Sequence, residues 1–155
     1  MESLDRREFL RMLGAAGAGA FLMTGPWLSA FAQVDKTTGE KVRIGIIGPG
    51  SRGRFLMNFI KNNPKAQMTA ICDIYQPSID EALKIVPDAK VYNDYRKLLE
   101  DKEIDAVVIA VPLDQHYHIA MDAFDAGKDV FCEKTICYDL WQCHDVYQKY
   151  KAGNN

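Results

Sequence analysis

One turn, Gly48-Pro49-Gly50-Ser51-Arg52-Gly53, constrains this chain more than any other stretch. The apolar run Val42-Arg43-Ile44-Gly45-Ile46-Ile47 precedes it, and a segment carrying Phe55, Leu56, Phe59 and Ile60 at helical spacing follows. Glycines in this pattern serve three ends: a tight turn, a backbone that a ligand can approach closely, and a helix that packs against its strand. About 20 positions on, a second apolar run ends at Asp73, the acidic residue that a dinucleotide site places on the ribose of its ligand. Strand, glycine turn, helix and distal acid together predict that a pyrophosphate rests on the free amides of a helix N-terminus. Pro49 has no amide hydrogen, so the donors fall to Gly50, Ser51 and Arg52.

The rest of the chain repeats the alternation. Strands are expected at Val42–Ile47, Gln67–Cys72, Lys90–Tyr92, Ile104–Val111 and Asp129–Cys132. Between them lie helices from Ser51 to Asn62, from Pro77 with Ile79, Ala82, Leu83 and Val86 inward, and from Tyr95 to Leu99 behind an Asn93-Asp94 cap. A fourth helix turns Ile119, Ala120, Ala123 and Phe124 inward before Gly127, and a last runs from Leu140 to Lys151 with Cys143, Tyr147 and Tyr150 at helical spacing. Alternation of this kind predicts an α/β fold, a doubly wound parallel sheet of the Rossmann type with strand order 3-2-1-4-5. Ligand is then expected over the carboxyl ends of the strands. That rim gathers the glycine turn, Asp73, Pro112, His116, Glu133 and Lys134. A carboxylate at Asp73 suits the two ribose hydroxyls of NAD and repels the added phosphate of NADP.

Residues 1–32 read as a targeting segment, 33–41 as a linker and 42–155 as the domain. Arg6-Arg7 followed by Phe9-Leu10-Arg11, an uncharged Gly/Ala-rich stretch, and Ala30-Phe31-Ala32 resemble a twin-arginine export signal with its cleavage site. The competing reading is an N-terminal membrane anchor, for which Gly14, Gly17, Gly19, Gly25 and Pro26 make a poor helix. No cysteine precedes Cys72, so a lipid-bearing cysteine has no place in the leader. Twin-arginine export carries proteins already folded, so a cofactor domain with this leader is expected to take up its dinucleotide before export and to hold it tightly in the periplasm.

A net charge of −2 with basic residues scattered leaves no footprint for nucleic acid or for a lasting membrane contact beyond the leader. The four cysteines, Cys72, Cys132, Cys137 and Cys143, form no C-x-x-C pair, and with His144 they match no zinc spacing. Core or surface thiols are expected rather than a disulfide framework, and no metal.

From Lys41 onward the sequence resembles the cofactor half of the Gfo/Idh/MocA oxidoreductases. The glycine turn, Cys72-Asp73, Val111-Pro112 with His116, and Ala126-Gly127-Lys128-Asp129-Val130-Phe131-Cys132-Glu133-Lys134 carry the resemblance. It implies that Lys134, the lysine of the family's Glu-Lys-Pro, contacts the nicotinamide ribose and substrate and assists proton transfer, and that His116, the other catalytic candidate, lines the cofactor's path beneath the nicotinamide. Burial beside a cofactor would draw such a lysine toward neutrality and make it usable as an acid or base. Glu133 and Pro112 would line the nicotinamide end, and Gly48, Gly50, Ser51, Arg52, Gly53 and Asp73 would hold the rest of NAD. Thr135 stands where the family has proline, and Val111 where threonine is common.

The resemblance also implies a second α/β domain that builds the substrate pocket. Residues 1–155 carry no pattern for it, so the chain is expected to be a cofactor half, inactive alone through truncation or division of the protein, with its fifth strand an exposed edge. The activity implied is hydride transfer between NAD and a sugar-like substrate, a sugar or cyclic polyol. An NAD-dependent glycoside hydrolase of the same family and a non-catalytic NAD-binding module or inactive fragment are the alternatives. Oligomeric state is left open.

Overall fold

The computed structural model describes residues 41–152. The leader and all of the linker but Lys41 lie outside the described residues. Five parallel strands, β1 (Val42–Ile47), β2 (Ala66–Cys72), β3 (Lys90–Tyr92), β4 (Ala106–Ile109) and β5 (Asp129–Cys132), form one sheet in the order β3-β2-β1-β4-β5. Five helices connect or follow them: α1 (Ser51–Lys61), α2 (Gln76–Leu83), α3 (Tyr95–Glu100), α4 (Leu113–Asp125) and α5 (Leu140–Ala152). The Rossmann order expected from the alternation is the order observed. Strand β4 is shorter than the apolar run Ile104–Val111.

Each central strand is apolar on both sides because it divides two cores. Ile46, Ile71 and Val108 enter the core under α1 and α2 with Met57, Ile79 and Ala82. Their neighbours Ile47, Cys72, Val107 and Ile109 point the other way, into the core under α3 and α4 with Leu98, Leu99, Ile119, Ala120 and Ala123. The two-residue period of a strand thus sends consecutive isoleucines of β1 to opposite faces. Between Ile44 and Gly45 the register against β2 slips by one residue, so Thr69 is the extra residue of a bulge. Its hydroxyl is buried with no hydrogen-bond partner among the described residues.

Two helical faces differ from expectation. In α1 the inward residues are Gly53 and Met57 with Leu56 and Ile60 half-buried, whereas Phe55 and Phe59 are exposed. Positions 53, 56, 57 and 60 follow the 3.6-residue period, and Gly53 belongs to that stripe although it has no side chain to announce it. The two phenylalanines pack edge to face on the outside, centroids 4.9 Å apart, with the Arg52 guanidinium over Phe55. In α5 the inward residue is Gln142, while Cys143, Tyr147 and Tyr150 are exposed. Here polar contacts settle the face: the Tyr117 hydroxyl donates to Asp145 at 3.1 Å, Tyr117 meets Trp141 edge to face, and Lys149 pairs with Asp125.

Helix α4 ends as its sequence requires. Gly127 takes φ +67°, and the amides of Gly127 and Lys128 return to the carbonyls of Phe124 and Ala123. The chain then delivers Lys128, 7 % exposed, whose ammonium donates to the carbonyls of Asp101 and Ile104, both at 2.7 Å. Edge strand β5 pairs with β4 alone among the described residues, and Phe131 on it is exposed.

Replacing Lys128 with Met keeps the stem and strips both carbonyls of their donor. The expected cost is about 1–3 kcal/mol, the penalty for polar groups left unsatisfied. Urea denaturation of the two proteins measures it, and equal midpoints would remove the ammonium from the fold's support.

Candidate functional site

Every residue singled out for the cofactor lies at the carboxyl edge of the sheet, because parallel strands all present their C-terminal ends to one side. The glycine turn joins β1 to α1 there, and its three glycines meet different demands. Gly48 has φ +83°, and a Cβ on it would lie 2.8 Å from the carbonyl oxygen of Ala110. A Cβ on Gly53 would lie 2.3 Å from the oxygen of Gly48, so only glycine lets α1 seat on the end of β1. Gly50 is the contrast: a Cβ there would meet nothing within 4 Å. Of the three glycines, Gly50 alone has open space where a side chain would stand. Gly50 also serves as N-cap of α1, and no side chain caps that helix. Among the described residues the first-turn amides are thus left without a side-chain acceptor, at the positive end of the helix. A pyrophosphate fits both facts.

A groove of about 710 Å³ runs from this turn across the ends of β1, β2 and β4. Gly48, Gly50, Asp73 and Pro112 line it, together with Cys72, Ala110 and Val111. Asp73 is half-buried, and its Oδ1 accepts the amide of Tyr75 at 2.9 Å. One carboxylate oxygen thus shapes the turn after β2, while Oδ2 has no hydrogen-bond partner among the described residues. Burial first, then the negative charges of Asp73 and Asp94, push the neighbouring Cys72 thiol up to about 12, so it stays a neutral wall group.

The groove has a further wall that motif reading did not single out: Asn93, Asp94, Tyr95, Arg96 and Gln115. Strand β3 lies next to β2 in the sheet, so the cap of α3 arrives beside Asp73. Asn93 donates to the carbonyl of Asp73, and Asp94 accepts the amide of Arg96 as the helix cap. The Asn93-Asp94 cap was legible in the sequence; its nearness to Asp73 follows from the strand order.

A second, shallower hollow of about 410 Å³ adjoins the first and shares Ala110 and Val111 with it. Arg52, His116, Glu133 and Lys134 line it. Arg52 Nε lies 2.5 Å from Glu133 Oε1, an ion pair that joins the glycine turn to the end of β5 across 81 residues of sequence. The Glu133 side chain is only 11 % exposed, and its Oε2 accepts the amide of Lys134 at 3.2 Å. The hydrogen bond from Arg52 holds the Glu133 carboxyl below its ordinary value, against the opposing pull of burial, with the Lys134 amide and the two positive charges adding to it. Lys134 itself is exposed, and its ammonium has no hydrogen-bond partner among the described residues. The burial expected around that lysine is not supplied by the described residues.

His116 sits behind this rim rather than on it, 3 % exposed in the first turn of α4. Its Nδ1 lies 2.9 Å from the carbonyl oxygen of Thr135 and its Nε2 2.9 Å from that of Val111. Both ring nitrogens are engaged by backbone, so His116 ties the end of β4 to the turn that carries Lys134. The Lys134–Thr135 peptide bond is cis. Ser51 stands exposed at the start of α1, outside both linings. Among the described residues no three His, Cys, Asp or Glu side chains stand close enough to hold a metal ion.

Removal of the Arg52 guanidinium tests the electrostatics of the hollow. A carboxyl whose folded-state value is lowered contributes stability that is full above its unfolded value, near the ordinary 4.5, and lost as pH falls through the lowered value. In Arg52→Ala the Glu133 titration, followed by carbon-detected NMR, should move upward, because burial then acts with less opposition. An unmoved titration would show that the ion pair does not hold the carboxylate.

Known proteins agree with this geometry. A family model described as an oxidoreductase family with an NAD-binding Rossmann fold, Gfo/Idh/MocA, matches residues 42–155. Among solved structures, myo-inositol dehydrogenase from Lactobacillus casei in complex with NAD(H) and myo-inositol is 29% identical, with a TM-score of 0.70 over 74% of this chain and 34% of that one. The scyllo-inositol dehydrogenase of the same organism with NAD(H) and scyllo-inositol is 28% identical, with a TM-score of 0.68 over 73% and 34%. A glycosyl hydrolase family 109 protein of Parabacteroides distasonis is 36% identical over 91% of this chain and 34% of its own length, and one of Stenotrophomonas maltophilia 33% identical over 94% and 33%. The chain thus spans about a third of the length of these relatives. An open glycine turn, an uncapped helix, an acid at the end of β2 and a matching family model meet in one conclusion: the chain belongs to the Gfo/Idh/MocA oxidoreductase family and is an NAD-binding Rossmann domain of it.

Proposed function

We propose that this domain is the cofactor half of an exported oxidoreductase that passes hydride between NAD and a sugar or cyclic polyol. The observation that carries the reading is the shared wall. Ala110 and Val111 separate the groove of the glycine turn and Asp73 from the hollow of Lys134 by the width of one strand end. A dinucleotide along the groove has its reactive end directed toward the hollow. Bound NAD supplies the hydride chemistry.

The chain's own residues bind and orient. Amides of Gly50, Ser51 and Arg52 receive the pyrophosphate, and Asp73 accepts the ribose hydroxyls with the oxygen that the Tyr75 turn leaves over. Lys134 takes or returns the proton of the substrate hydroxyl, and Glu133 beside it, held ionised by Arg52, keeps the rim charged. His116 acts from behind, holding the Lys134 turn against β4. The place in the cofactor's path that family resemblance implies for it gives way, in this reading, to positioning. The burial that Lys134 lacks here is assigned to a substrate domain, in keeping with the threefold greater length of the relatives.

Export rests on the leader. The match to the Stenotrophomonas protein covers 94% of the chain, so it runs past the domain into the first 40 residues. Loading of the cofactor before twin-arginine transport follows from that reading. A second reading, a glycoside hydrolase that consumes no net cofactor, is favoured by the glycosyl hydrolase names of these relatives.

Three experiments test these proposals. Asp73→Ala should weaken NAD about 10- to 100-fold, the loss of charge-assisted hydrogen bonds of about 1.5–3 kcal/mol, and NADP much less. Calorimetric titration of both dinucleotides measures it, and an unchanged ratio of affinities would refute the ribose assignment. In a two-domain protein with this chain as its cofactor half, inositols or sugars should produce NADH steadily if the first reading holds. Release of the phenol from an aryl glycoside without net NADH would instead establish the second. Lys134→Ala should lower either turnover by about 10²- to 10⁴-fold, the contribution of a general acid or base, with the NAD dissociation constant unchanged.

A further inference from the structure

Beyond the cofactor site, and independent of it, two thiols stand together in the segment that follows Lys134. Cys137 Sγ lies 2.7 Å from Cys143 Sγ, while both cysteines are free. A covalent disulfide needs about 2.05 Å, so closure asks for a movement smaller than an ångström. The approach is built by the local fold. Gln142, 2 % exposed, accepts the Tyr138 amide on its side-chain oxygen, and the Cys143 amide donates to the Asp139 carbonyl at 3.1 Å. These bonds curl residues 137–139 back over the first turn of α5 and bring the two sulfurs face to face. Their exposure is asymmetric: Cys137 is 6 % exposed and Cys143 lies open to solvent.

We infer that Cys137 and Cys143 form a reversible disulfide that staples the turn carrying Lys134 to helix α5. The oxidant is an external disulfide, either a small molecule such as oxidised glutathione or the disulfide of a thiol-oxidising protein. The exposed Cys143, as thiolate, attacks one external sulfur and releases the other as a thiolate. Cys137 then attacks Cys143 Sγ, its proton passes to solvent, and the second external sulfur leaves as a thiol. Two protein thiols are oxidised to one disulfide while one external disulfide is reduced to two thiols. Burial, and next the neighbouring Cys143 sulfur, push the Cys137 thiol up to about 11, which assigns the first attack to Cys143. Cys137 is three residues past Lys134, and His116 already ties Thr135 to β4. The staple would fix the other end of the same short segment.

The test uses the full chain with oxidised glutathione, followed by alkylation and peptide mapping. No lysine or arginine lies between Lys134 and Lys149, so one tryptic peptide, Thr135–Lys149, carries both cysteines. The expected result is that this peptide loses two hydrogens and accepts no alkylating agent until reductant is added, while Cys72 and Cys132 stay alkylatable. A stable glutathione adduct on Cys143, no oxidation at all, or a bond from Cys137 to Cys132 would overturn the proposal. Cys137→Ser should stop at the glutathione adduct on Cys143; if that variant fails to fold, the mapping of the unaltered chain still decides. Amide hydrogen exchange across residues 135–143 should slow several-fold on oxidation, and equal exchange in the two forms would overturn the bracing of the Lys134 turn.

Discussion

The approach of Gly53 to the carbonyl of Gly48 is the contact on which the rest of the site depends. It sets the start of α1 directly on the end of β1, closer than any side chain allows. Gly48 makes a similar demand on the other side, against Ala110 at the end of β4. Between them these two glycines lock turn, helix and neighbouring strand together by backbone contact alone. Gly50, with open space above it, is the part of the turn that remains for a ligand. Tight packing below and a clear approach above are both needed before a helix N-terminus becomes an anion site rather than a buried end that requires a cap.

Electrostatics then extends this anchor to the far edge of the sheet. Arg52 reaches from the anchored turn to Glu133 at the end of β5, the strand whose outer side is uncovered among the described residues. Glu133 in turn receives the Lys134 amide, and His116 holds the next carbonyl but one along the chain, that of Thr135. The turn that presents Lys134 is therefore placed by polar contacts from α1 and α4, while edge strand β5 contributes few apolar ones. Such an arrangement suits a group that must stay accessible to a reactant. It also places Arg52 where it adjoins both the glycine turn and the lysine, so charge changes at one are felt at the other.

Much of this was legible in the residues. The alternation of apolar runs and helical stripes implied the strand order, and the carboxyl-edge rule then gathered Gly48, Asp73, Pro112 and Lys134 before any contact was known. What was not legible has identifiable causes. Phe55 and Phe59 were counted inward because hydrophobicity alone weights a phenylalanine above a glycine, yet Gly53 and Met57 hold the buried stripe. In α5 the buried residue is a glutamine, selected by its bond to the Tyr138 amide, and no hydropathy pattern reports that. Asn93 and Asp94 read along the chain only as a helix cap, since their nearness to Asp73 depends on β3 lying beside β2.

By itself the sequence determined the fold, the family and the identity of the groups on the rim. These depend on periodicity and on backbone requirements of single residues, which are local and can be read along the chain. Tertiary structure decided how those groups are employed. It buried His116 between two carbonyls, left Lys134 exposed, paired Arg52 with Glu133 and set Cys137 against Cys143. Each of these outcomes turns on where a side chain ends in space relative to residues distant in sequence, or on which face a short turn folds back upon. The glycine turn belongs to both accounts: its spacing announces a dinucleotide, and only its packing reveals which glycines hold the fold and which one stands clear of it.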